Sequence, residues 1–161
     1  MYDEEYIKWR NLIGEFILEF ANVEVEIFGI FEDLGSDQDL NLARGDQFKK
    51  RASRAIDLIN ENIADAKIRK PAVKAINELI KLGDKVRNLI AHNPIQLSLE
   101  SVLQGGYDHE IRSFRSSENV ISFDELLESF KLLVKTRDDL FASTYQIRKM
   151  LAWQNEQSRG A

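Results

Sequence analysis

Between Glu4 and Leu34 the apolar residues Trp9, Ile13, Phe16, Phe20, Val23, Ile27, Phe31 and Leu34 recur in steps of three and four, and no proline interrupts them. Apolar side chains at that spacing fall on one face of an α-helix, so the chain has to fold around one long amphipathic helix. Ile17 and Phe28 lie off that stripe and predict contact with a second surface. Gly35-Ser36-Asp37 ends the helix, and Asp37 to Gly45 reads as a polar loop. A second helix is predicted through Phe48, Ala52, Ala55, Ile56, Ile59 and Ile63. Lys70-Pro71 then breaks the chain, because proline disfavours helix at the residue before it. Pro71 suits the first position of a third helix, where its missing N–H costs nothing. That helix carries Val73, Ile76, Leu79, Ile80, Gly83, Val86 and Ile90, and should end near His92, ahead of Pro94.

From Ile95 the pattern changes. Ile95, Leu97 and Leu99 alternate with polar residues, Gly105-Gly106 supplies a turn, and Tyr107, Ile111 and Phe114 follow. This predicts a small β-hairpin or irregular insertion over about 95–117. Ser122-Phe123-Asp124-Glu125 is a capping box, in which the Ser hydroxyl and the Glu carboxylate each satisfy an amide at the helix start. The last helix carries Leu126, Phe130, Leu133, Val134, Leu140, Phe141, Ile147 and Leu151, and should fray through the final Gln-Ser-Arg-Gly-Ala. The expected fold is all-α: an antiparallel bundle of four long helices with the insertion before the last one, in a single domain over 1–161.

Composition narrows the chemistry. There is no cysteine, which removes disulfide scaffolds, thiol nucleophiles and thiolate metal sites. Only two histidines are present, His92 and His109, too few for most histidine-based metal sites. The acidic start, MYDEEYIKWRN, lacks the pattern of a secretory leader, and no apolar run approaches the roughly 20 residues that cross a bilayer. The expectation is a soluble cytoplasmic protein. Glu15, Glu19, Glu24 and Glu26 invite comparison with di-iron bundles, but those need Glu-x-x-His pairs, and none occurs. Phosphate-cradling runs of the G-x-x-x-x-G-K-S/T or G-x-G-x-x-G type are also missing. No cofactor or metal is expected. His109, within Tyr107-Asp108-His109-Glu110, reads as a solvated hairpin residue.

One constellation carries chemistry. On a wheel of about 100° per residue with Gly83 at zero, Arg87 falls near +40°, between Ile76 near +20° and Ile80 near +60°. An arginine on an apolar face needs a partner, since an unpaired buried charge costs several kcal/mol. That partner could be a structural carboxylate such as Glu19 or Glu24, or a ligand in a cleft. His92 stands five residues on, in the last helical turn, where the helix dipole favours positive charge. Histidine moves protons near neutral pH, and arginine clamps phosphate. Together they are the minimum for cleaving RNA through its own 2′-hydroxyl.

Arg87-Asn88-Leu89-Ile90-Ala91-His92, at a helix end in a small helical chain, resembles the R-x4–6-H signature of the HEPN superfamily. Asn88 matches the polar residue often found after that arginine. The resemblance implies a metal-independent endoribonuclease of the toxin–antitoxin or anti-phage kind. In it Arg87 would contact the scissile phosphate, His92 would act as acid or base, and Asn88 would orient one of them. It further implies a homodimer that brings two motifs together, RNA as substrate, a 2′,3′-cyclic phosphate product and an antitoxin protein as a possible partner. The segment 95–117 has no counterpart in that resemblance, and Pro94 stands where some members have tyrosine.

Charge is distributed unevenly. Residues 1–43 hold two basic and eleven acidic side chains, whereas 44–92 hold twelve basic and six acidic, in a chain of net charge −5. The basic segment bears the motif, and its Lys74, Lys81 and Lys85 are candidate RNA contacts. Those same charges could instead neutralise the acidic first helix. The rival readings are a catalytically inactive HEPN-like module that binds a partner protein or nucleotide, and a bundle in which Arg87 is only an ion pair.

Overall fold

The computed structural model describes residues 4–116 and 118–159. The first three residues of the acidic start, the end of the expected insertion at Ser117 and the expected fraying at Gly160 and Ala161 lie outside them. The described chain is mostly helical: α1 (Glu4–Leu34), α2 (Asp37–Gly45), α3 (Phe48–Asn62), α4 (Ala66–Leu82), a π-helical turn (Gly83–Arg87), α5 (Asn88–His92), α6 (Leu99–Leu103) and α7 (Phe123–Arg159). Three short strands, β1 (Ile95–Leu97), β2 (His109–Arg112) and β3 (Val120–Ser122), form an antiparallel sheet before α7. No helix among the described residues is long and apolar enough to cross a membrane.

The chain groups into two compact units. One comprises residues 1–20 and 81–134, the other residues 21–80 and 135–161. In the first, Trp9, Leu12, Phe16, Phe20, Val86, Ile111, Ile121, Leu126 and Leu133 are buried. Burying such side chains contributes about 1.5–3 kcal/mol each and is what holds the short strands in place. The sheet's register explains its orientation: Ile95 stands opposite Ile111, and Ile111 opposite Ile121, a row of isoleucines of which Ile111 and Ile121 are buried and Ile95 half-buried. The next row holds Gln96, Glu110 and Ser122. Glu110 is buried, and Arg112 Nε donates to its Oε1 at 2.8 Å. Burial alone would raise its carboxyl pKa, but hydrogen bonds from Arg112, Ser98 and Gln96 outweigh this and hold it below its ordinary value. A lowered folded-state pKa means that the ionised form stabilises the fold. That stability is present above the ordinary carboxylate range and is lost as pH falls through the lowered value. Glu110→Gln is therefore expected to flatten the acid limb of a stability-versus-pH curve, as read by urea unfolding; an unchanged limb would contradict this.

In the second unit the core is Val23, Ile27, Ile30, Phe31, Ala52, Ala55, Ile59, Ile63, Ile76, Leu79, Leu140 and Ile147. Arg51 fastens the turn between α2 and α3, donating Nε to the Ala43 carbonyl at 3.0 Å and Nη2 to that of Asp46 at 2.8 Å. Its Nη1 also bridges Glu24 at 3.2 Å. On α7, Thr144 is buried and donates to Glu26, whose carboxylate also meets Arg148 Nη1 at 3.0 Å.

Several expectations change. Residues 37–45 are a helix, not a loop, because Ser36 and Asp39 form a capping box: Ser36 N–H donates to Asp39 Oδ2 at 2.8 Å. The third helix begins at Ala66, ahead of Pro71, since Asp65 caps it, accepting the Lys67 N–H on its carboxylate at 2.8 Å and the Arg69 N–H on its carbonyl at 2.9 Å. The insertion holds a helix as well as strands, and its sheet gains a third strand from residues 120–122. α7 remains helical to Arg159. The capping box at Ser122 and Glu125 forms as expected, with Ser122 N–H donating to Glu125 Oε2 at 2.8 Å.

Candidate functional site

The motif lies where one continuous helical run changes its winding. Across Gly83–Arg87 the hydrogen bonds step to i→i+5, so the Asn88 N–H donates to the Gly83 carbonyl. Single π-turns of this kind cost hydrogen-bond geometry and occur frequently at functional sites. Leu79, Leu82, Gly83, Val86 and Ile90 are buried while Ile80 is only half-buried, so the apolar stripe is centred on the Val86 side. Arg87 sits at the stripe's margin and is half-buried, not enclosed. One of its contacts is Nη1 to Asn88 Oδ1, at 3.4 Å. Of the two carboxylates considered for it, Glu24 bridges Arg51.

Asn88 and His92 are exposed, and both line a cleft of about 1030 Å³ within the first unit. One wall is the helical run, with Asp84, Lys85, Asn88 and His92. The lining also includes Ser113, Phe114 and Arg115 from the segment after β2, and Asp124, Glu125 and Glu128 from the first turns of α7. Arg87 does not line the cleft, though it donates to Asn88, which does. Of the three lysines considered for RNA contact, Lys85 lines the cleft and Lys81 is exposed in the same unit. Lys74 is exposed but belongs to the other unit. The lining is mixed in sign: Asp84, Glu118, Asp124, Glu125 and Glu128 face Lys85 and Arg115. One of these carboxylates, Glu125, is engaged by the cap at Ser122.

His109 is not solvated. Its side chain is 12% exposed and lies beside Glu5, with Nδ1 at 3.3 Å from Oε2, while its backbone N–H donates to Oε1 of the same carboxylate at 3.2 Å. It therefore ties β2 to the first turn of α1 and is no part of the cleft. No group of three or more His, Asp or Glu side chains among the described residues is arranged to hold a metal ion.

Of the cleft lining, only Lys85, Asn88 and His92 are site candidates from the sequence; Asn93, Phe114 and Arg115 are among those it does not mark. Asn93 could have been noticed as the residue that closes the helix before Pro94. Phe114 and Arg115 carry no local signal, because the hydrogen bond that holds the Phe114 backbone comes from Asn93, 21 residues earlier. No protein-family model, curated protein or solved structure matches the chain.

Proposed function

We propose that this chain is a metal-independent endoribonuclease of a toxin–antitoxin or anti-phage defence system, built as a HEPN-like antiparallel helical bundle and working in the cytoplasm as a homodimer. The observation that carries the reading is the placement of His92 and Asn88 on one open cleft directly after a π-turn that ends at Arg87, with Asn88 accepting from the guanidinium. In this scheme His92 takes the proton of a 2′-hydroxyl. The freed oxygen attacks the adjacent phosphorus and the P–O5′ bond breaks. A protonated imidazole, that of the partner's His92 in the dimer, returns a proton to the departing 5′-oxygen. Asn88, with Arg87 acting through it, offsets the charge that builds on the phosphate as the bond forms. An antitoxin protein would act by covering this cleft.

The direct test of the chemistry lies in the substrate. An RNA with 2′-deoxy sugars at the cleaved positions should remain intact where the all-ribose strand is cut; equal cutting of both would end the proposal.

A second reading is favoured by the five carboxylates in the cleft lining, which suit a cationic partner better than a polyanion. Here the chain is a non-catalytic HEPN-like module that binds a partner protein or nucleotide. Wild-type protein that leaves every RNA intact would decide for it.

A further inference from the structure

Resting on the nuclease reading, we infer that Arg115 is the arginine that contacts substrate phosphate inside the cleft, and that Asn93 is the positioning residue that ties the segment bearing Arg115 to the helix end bearing His92. Arg87 does not line the cleft, whereas Arg115 and His92 both do, from two different segments of the chain. A phosphodiester that reaches the exposed His92 imidazole therefore enters the same cleft as the Arg115 guanidinium.

The described residues around Arg115 make several hydrogen bonds. The Ser113 N–H donates to the Asn119 carbonyl at 2.9 Å, which closes the loop across its base. The Arg115 N–H donates to Ser113 Oγ at 3.2 Å, which shapes the backbone beneath the guanidinium. Asn93 supplies the link to the helix. Its Nδ2 donates to the Leu89 carbonyl at 2.8 Å, one of the carbonyls left over at a helix end, and its Oδ1 accepts the Phe114 N–H at 3.1 Å. The residue after His92 in the chain thus holds the residue before Arg115. One amide side chain sets the spacing between a proton-moving group and a phosphate clamp. A guanidinium presents a fork of donors that matches two phosphate oxygens, which a lysine cannot reproduce.

Phe114 completes the arrangement. It lines the same cleft and is 76% exposed, so its ring is accessible to a ligand there. An aromatic face beside a phosphate clamp stacks a nucleobase of any sequence, so the ligand class is single-stranded RNA with an unpaired base next to the gripped phosphate.

The test uses the full chain and a 2′-O-methyl oligoribonucleotide, which binds but cannot react, followed by fluorescence anisotropy, together with cleavage of the all-ribose strand. Arg115→Ala is expected to weaken binding about ten- to hundredfold, the effect of losing a charged hydrogen bond. Arg115→Lys should recover only part of it, and Lys149→Ala, an equal charge loss on the other unit, should change nothing. Asn93→Ala should raise KM as Arg115→Ala does while thermal unfolding stays cooperative, and Asn93→Asp, which keeps the acceptor for Phe114, should recover part of the loss. If the wild type cleaves and Arg115→Ala cleaves and binds equally well, the inference falls and the nuclease reading stands. If the wild type neither binds nor cleaves, both fall. Binding without cleavage, lost in Arg115→Ala, keeps the phosphate contact and overturns the catalysis.

Discussion

Replacing His92 by alanine is expected to lower RNA cleavage by two to four orders of magnitude, the usual worth of a positioned general acid or base. The size of the effect follows because the chain's other histidine cannot substitute: His109 lies outside the cleft, beside Glu5 at the start of β2. The interpretation is clean because His92 is exposed at the end of α5, and surface substitutions of that kind change stability by about 0.5 kcal/mol or less. Urea midpoints of wild type and His92→Ala should coincide. A mutant that is folded and cleaves at the wild-type rate would remove His92 from the chemistry.

The largest expected effect on stability belongs to Trp9. Its indole is fully buried and stands edge-on to Phe123, with centroids 5.5 Å apart and planes at 73°. Trp9→Ala removes a large volume from the core of the first unit and is expected to cost about 3–5 kcal/mol. Total stabilities of small proteins are about 5–15 kcal/mol, so this change alone takes a large share. Trp9→Phe should cost much less, since the Nε1 atom is buried without a hydrogen-bond partner among the described residues, and phenylalanine removes that unpaired donor. The two denaturation midpoints distinguish packing from polarity; an alanine variant within 1 kcal/mol of wild type would contradict this account of the core. Phe123 directly precedes Asp124, a cleft residue, so Trp9→Ala should also lower cleavage by loosening that wall.

Periodicity made the long helices legible, and local chemistry made the cap at Ser122 and Glu125 legible, because both signals lie within a few residues of their effect. α1 and α7 extend over 31 and 37 residues, and on α7 the buried apolar set is Leu126, Leu133, Leu140 and Ile147, a strict seven-residue step. Phe141 looked like core by type but is exposed, because that seam is narrow and shares its remaining places with Thr136, Ser143 and Thr144. α2 was hidden because its cap uses Asp39 where a longer carboxylate is the usual sign, and its sequence is polar. The π-turn left no trace, since it shifts hydrogen bonds without disturbing the apolar spacing. The candidate site divides in the same way. Arg87, Asn88 and His92 could be read from one helix end, whereas the lining by Phe114 and Arg115 depends on the Asn93 side chain accepting the Phe114 N–H across 21 residues, a contact that no local pattern encodes.

The central claim is that His92, at the rim of this cleft, drives a cleavage that needs only the RNA's own 2′-hydroxyl as nucleophile. The most direct measurement is RNA cleavage by wild-type, Arg87→Ala and His92→Ala proteins in EDTA, with the chemistry of the new 3′ ends determined. The account predicts 2′,3′-cyclic phosphate ends from the wild type, lost in both folded variants. Strict dependence on Mg²⁺, or ends bearing a 3′-hydroxyl, would contradict it.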